Sequence, residues 1–136
     1  MTSTASTAST RAHAIESGAL IEADPCIADE VKFPAPVAMT DAVYRDCVAV
    51  HPDAYAYGIR LDEAEREWDL LSAASRAISA AAGSGRPPRL PFHLYRIPGD
   101  GNTRDPQRVI LVAEVSPGDA GERVITIMRP SERLPQ

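Results

Sequence analysis

The sequence predicts an α+β fold, with a three-stranded antiparallel C-terminal meander packed against one long helix, short N-terminal helices and a disordered N-terminus. Three observations carry this. Residues 61–82 repeat apolar and small side chains at helical spacing, residues from Leu90 onward switch to a period of two, and residues 1–10 hold no charge and no large apolar group beyond the first methionine. A chain of 136 residues suits one domain, expected over 11–134 behind the tail at 1–10. The core should be small, because 22 residues are alanine and Val, Ile, Leu and Phe together number only 28.

Taken in order, Thr10 is placed to cap a helix over Arg11–Ser17 that Gly18 stops, and Ala19–Ala23 reads as a short strand. Asp24-Pro25 is a helix start, with proline at the first position, where no N–H is missed; the helix should run through Glu30. Phe33-Pro34-Ala35-Pro36 must be extended, since each proline pushes its predecessor out of the α region. Thr40 caps a further helix, Asp41–Val50, which His51-Pro52 ends. Residues 52–60 form a connection.

The long helix is expected over Leu61–Ala82, with Leu61, Ala64, Trp68, Leu71, Ser75, Ile78 and Ala82 as its buried seam. Gly83-Ser84-Gly85 ends it and Arg86-Pro87-Pro88 reads as a stiff linker. The first strand of the meander alternates Leu90, Phe92 and Leu94 against His93, Tyr95 and Ile97. Arg108–Ser116 is apolar on both faces, Ile110 and Val112 on one and Val109, Leu111, Ala113 and Val115 on the other, as a central strand would be. Pro117–Gly121 turns the chain into a last strand, Arg123–Arg129, closed by Pro130.

Fourteen basic residues against nineteen acidic give a net charge of −5, which argues against direct nucleic-acid binding through a cationic footprint. No apolar run approaches the roughly 18 residues that span a bilayer. The start, MTSTASTAST, lacks the cationic and apolar regions of a secretory leader, so no membrane association and a cytoplasmic location are expected. Cys26 and Cys47 are expected as reduced, half-buried residues. With His51 and His93 they form no recognisable zinc set, and no cofactor is implied.

The stretches TRAHAIESGALIEA, FPAPVAMTDAVYRDCVAV and RVILVAEVSPGDAGERVITIMRP resemble a family of small proteins of bacteriophage, plasmid and integrative-element genomes, a family of unknown function. The resemblance spans most of residues 10–130, with an inserted Ala35-Pro36 and a polar start to the long helix as departures. It implies a genomic setting rather than a reaction.

Three groups of residues could carry function. Asp62, Glu63, Glu65, Glu67 and Asp69 crowd the start of the long helix, where negative charge suits the helix dipole. They could also contact a basic surface of a partner protein, and in a mobile-element setting that partner would be a host defence component, bound as anti-CRISPR or anti-restriction proteins bind. The competing expectation is a metal-independent RNA-cleaving toxin, for which His51, His93, Arg96, Arg108 and Thr126 could supply base, acid and cation. The loop Pro98–Gln107 hints at calcium through Asp100, Asn102, Thr103 and Asp105, but Arg104 and Leu111 stand where an EF-hand needs a ligand and a glutamate. A homodimer through the small-residue half of the long helix is a further expectation.

Overall fold

The computed structural model describes residues 10–52, 61–82, 89–99 and 104–134. The tail at 1–9, most of the 52–60 connection, the 83–88 linker and residues 100–103 of the calcium-like loop therefore lie outside the described residues.

The N-terminal elements begin where their capping side chains place them. Helix α1 (Arg11–Ser17) starts with the Thr10 hydroxyl accepting from His13 N at 3.1 Å, and stops at Gly18, whose φ of 88° is left-handed. Strand β1 (Leu20–Glu22) leads to α2 (Pro25–Glu30), capped by the Asp24 carboxylate, which accepts from Cys26 N at 2.8 Å. Strand β2 (Val37–Thr40) runs straight into α3 (Asp41–Val43), where Thr40 Oγ1 accepts from Val43 N at 3.3 Å. The helix expected through Val50 loosens at once into a π-helical turn, Tyr44–Val48. Such turns are short interruptions of helical bonding.

The long helix α4 is Glu63–Ala81, capped by Asp62, and strands β3 (Arg89–Arg96), β4 (Gln107–Pro117) and β5 (Arg123–Met128) follow. These three form the expected antiparallel meander, with Phe92 opposite Leu111 and Ala113 opposite Ile127. The sheet nevertheless has five strands in the order β1-β2-β5-β4-β3, and it is mixed, because β2 pairs parallel to β5 with Val37 opposite Ile125. The meander is thus part of a larger sheet. Strand β2 is too short, at four residues, to show a period, and Val37, Ala38 and Met39 are all buried because neighbours flank it on both edges and layers cover both faces.

One face of the sheet buries Val37, Met39, Leu90, Phe92, Leu94, Leu111, Ala113, Ile125 and Ile127 beneath α4, α2 and the α3–π segment. Helix α4 packs chiefly on β3. Its buried residues are Arg66, Leu70, Leu71, Ser72, Ala73, Ala74, Ser75 and Ile78. The expected seam is therefore right at Leu71, Ser75 and Ile78 and wrong at Ala64, Trp68 and Ala82, which are exposed, Trp68 by 41%. The phase is displaced because a charged residue, Arg66, occupies the inward position that apolar periodicity would give to a hydrophobe.

The opposite face is covered over β1, β2 and β5 by α1 and the C-terminal segment. Arg11 Nη1 donates to Thr126 Oγ1 at 2.7 Å and Arg11 Nη2 to Ile125 O at 2.9 Å. Arg89 holds the end of the chain, pairing with Glu114 at 2.8 Å and donating to the Pro130 and Glu132 carbonyls at 3.0 and 2.8 Å. This cover stops short of the β3 end. There Val112 is buried as a central-strand residue should be, but Ile110, expected to be buried with it, is 44% exposed beside a Tyr95 that is 66% exposed. The cysteines also differ from expectation, since Cys26 is exposed and Cys47 fully buried, both as free thiols.

Candidate functional site

The start of α4 converges with the end of β3 around a cavity of about 260 Å³. Leu61 and the cap Asp62 line it just ahead of the helix, Glu65, Arg66 and Asp69 from its first turns, Leu94, Tyr95 and Arg96 from β3, Ile97 just after it, Cys47 from the π turn and Pro106 from the segment before β4.

Arg66 organises the inner end. Its side chain is buried, and its guanidinium reaches three backbone carbonyls, donating from Nε to Val48 O at 2.9 Å, from Nη1 to Ile97 O at 2.5 Å and from Nη2 to Asp46 O at 3.4 Å. Two of these carbonyls lie in the π turn, so a cation closes the carbonyl end of an irregular helical segment and joins it to the residue following β3. Gly99 completes the seam, its carbonyl accepting from His51 N at 2.8 Å. A Cβ on Gly99 would collide with the Ala49 carbonyl, so glycine is required for this close approach.

Beside Arg66 lies a second, half-buried arginine. Arg96 Nη2 pairs with Asp46 Oδ1 at 2.9 Å, while its Nε and Nη1 are buried without hydrogen-bond partners among the described residues. The Cys47 thiol faces the same carboxylate, with Sγ 3.7 Å from Asp46 Oδ2. Burial first, and the Asp46 charge second, push the Cys47 thiol up to about 12, so it is protonated and unreactive rather than a nucleophile.

The acidic run divides by task. Asp62 caps the helix, accepting from Ala64 N at 3.0 Å. Glu63 accepts from Val50 N at 2.9 Å and Glu67 from Asp24 N at 2.6 Å, so both tie preceding segments to α4. Burial is the main influence lifting the Glu67 carboxyl above its ordinary range, and it also raises the Tyr44 hydroxyl, which Glu63 and Glu67 face. Glu65 and Asp69 are exposed on the cavity rim and have no hydrogen bond or ion pair among the described residues. Of the five carboxylates clustered in sequence, two are thus uncommitted among the described residues. Charge patterning locates the acidic run and the Asp62 cap, whereas the backbone amides that claim Glu63 and Glu67 come from remote segments.

The residues considered for RNA cleavage are dispersed. His93 is exposed on β3 opposite Ile110, Arg108 lies on β4 opposite Tyr95, and His51 follows the π turn. Thr126 is fully buried on β5, and its hydroxyl accepts from Arg11. Strand β4 separates β3 from β5, so His93 and Thr126 do not meet. Among the described residues no group of three His, Cys, Asp or Glu side chains could hold a metal ion. None of the helices described is long and apolar enough to cross a membrane.

A family described as a family of unknown function, DUF6573, matches residues 2–133. The chain belongs to that family. No curated protein matches the chain, and no solved structure does. The DUF6573 match covers α1 through β5, so the cavity, Arg66, Arg96 and the acidic rim all lie within the family's extent.

Proposed function

We propose that this DUF6573 protein is a small cofactor-free binding module that acts stoichiometrically on another protein, in the setting of a mobile genetic element and with a host defence component as partner. The observation that carries the reading is the pair of carboxylates, Glu65 and Asp69, exposed on the rim of a cavity and uncommitted among the described residues. Like charges one helical turn apart destabilise a helix by roughly 0.2–0.5 kcal/mol unless a cation compensates, and no cation of the chain bonds to either residue among those described. The net charge of −5 favours a basic protein surface over nucleic acid. The mobile-element setting is supported by the sequence resemblance, and the anti-defence role follows from that setting.

Affinity capture from host lysate tests the reading. Wild-type protein should retain a protein partner that Glu65→Lys/Asp69→Lys releases and Glu63→Gln does not. Recovery of RNA alone, or a partner indifferent to the double substitution, overturns it. Growth arrest on expression that His93→Ala relieves would replace it with RNA cleavage.

A further inference from the structure

We propose that the cavity receives the C-terminal residue of a partner protein, an arginine or lysine, with its carboxylate at Arg96 and its cationic head at Glu65 and Asp69. The inference rests on the binding role proposed above for these two carboxylates and names what enters beside them.

The first support is a set of unused donors. Arg96 donates to Asp46 from Nη2, and its Nε and Nη1 are buried with no acceptor among the described residues. Buried polar groups are nearly always paired, so two such donors on one cavity wall mark a place where an acceptor belongs. Arg66 beside it bonds carbonyls with all three of its nitrogens and so contributes charge rather than donors. A carboxylate is the group that a guanidinium fits best. Nε and Nη1 are shielded by their surroundings, so the guanidinium turns toward the cavity, pivoting on its Asp46 bond, as the acceptor enters.

The second support is the order of charge. Exposure sorts the lining, with Arg66 and Arg96 inside and Asp62, Glu65 and Asp69 at the mouth. Asp46 pairs with Arg96, and Glu63, whose charge reaches Arg66, is bound to Val50 N. A lone anion meets carboxylates at the mouth, and a lone cation meets guanidiniums inside. A carboxylate joined to a cation by a short stem finds opposite charge at both ends. Leu61, Leu94 and Ile97 offer the stem an apolar wall. The cavity, about 260 Å³, lies just below the roughly 300–1,000 Å³ of small-molecule pockets, so it admits one residue and not a folded element. Capture of a C-terminal carboxylate is a recurrent mode of peptide recognition. A chain end is favoured over a free amino acid because its α-nitrogen is a neutral amide. A free α-ammonium would lie beside the inner guanidiniums and be repelled.

The test uses the full chain and four ligands: acetyl-Gly-Gly-Arg with a free carboxylate, its C-terminal amide, acetyl-Gly-Gly-Leu with a free carboxylate, and L-arginine. Calorimetry gives the affinities, and the Nε–H resonance of Arg96 reports the contact. A hydrogen bond to a charged group is worth about tenfold or more in affinity. The amide should therefore bind weaker than the arginine acid by that factor and leave the Arg96 resonance unmoved, whereas the acid shifts it. Glu65→Gln/Asp69→Asn should weaken the arginine acid by about two- to thirtyfold, as loss of two exposed ion pairs would. It should not weaken the leucine acid or alter the circular dichroism spectrum. L-Arginine should bind more weakly than the tripeptide. Absence of binding by the arginine acid, equal binding of acid and amide, an unmoved Arg96 resonance, or equal binding of arginine and leucine acids would each overturn the proposal. L-Arginine binding as tightly as the tripeptide would overturn the chain end as its source. If lysate capture is sensitive to the rim carboxylates but acid and amide bind alike, this inference fails and the binding role stands; if capture is insensitive, the binding role fails.

Discussion

Replacing Arg66 with methionine is the sharpest probe of how the site is assembled. The arginine is only 8% exposed and makes two well-formed bonds to carbonyls, at 2.9 Å to Val48 and 2.5 Å to Ile97, with a longer third at 3.4 Å to Asp46. Methionine keeps most of the buried stem and removes all the donors. A hydrogen bond to a charged group contributes roughly 1.5–3 kcal/mol, and a carbonyl stranded out of water costs about 1–3 kcal/mol. Two strong bonds therefore put the gross loss at about 3–6 kcal/mol. Relief from burying a guanidinium, whose pKa burial lowers, returns part of this. We expect a net destabilisation of about 3 kcal/mol, read as a shift in the denaturation midpoint, and about 10 °C in Tm for a domain of this size. Arg66→Lys should fall between the two, because one ammonium cannot reproduce a planar fork. The local signature is loss of protection at the His51 amide, which donates to the Gly99 carbonyl beside the clamp. A loss below about 1 kcal/mol for Arg66→Met would mean that water satisfies these carbonyls and that the guanidinium is not what joins α4, the π turn and the end of β3.

Four further outcomes follow from the same geometry. Gly99→Ala should destabilise the fold by about 1–3 kcal/mol, the range for overpacking, because the new Cβ meets the Ala49 carbonyl; thermal denaturation measures this. For Glu67, burial raises the folded-state pKa above the ordinary 4.5, so the folded state holds the proton more tightly. Stability is then greatest below the unfolded value and falls as pH rises through the folded one. Glu67→Gln should abolish that fall while its side-chain oxygen still accepts from Asp24, as denaturant titrations across pH would show. Asp119 behaves oppositely, because accepting from the Arg11 and Ala12 amides at 2.8 and 3.0 Å lowers its pKa below 3.8. Its contribution is present above that value and lost as pH falls through the folded pKa, and Asp119→Ala should speed exchange of both amides at neutral pH. Finally, a thiol reagent at pH 8 should titrate one cysteine in the native protein and two in denaturant, because Cys26 is exposed while Cys47 is buried with its pKa near 12.

The elements legible in the chain were those governed by local chemistry. Thr10, Asp24 and Thr40 announce their helices because a capping side chain bonds to an amide two or three residues away, and structure bears out all three. The long helix and the alternation of β3 are legible because their periods persist over many residues. The acidic run is equally plain, but which of its carboxylates remain uncommitted is not, since Glu63 and Glu67 are claimed by amides of Val50 and Asp24 that only folding brings near. Tertiary structure alone decided three further things. Strand β2 owes its identity to parallel pairing with β5, nearly 90 residues away, and four residues carry no period of their own. Arg66 turned inward because the unpaired carbonyls of the π turn and Ile97 outweigh its polarity, which displaced the helix face from Trp68. Ile110 was left open because the layers that cover the sheet end before reaching it. Capping and periodicity act within a few residues and can be read along the chain; pairing, desolvation and cover depend on groups far apart in sequence and exist only once the chain has closed on itself.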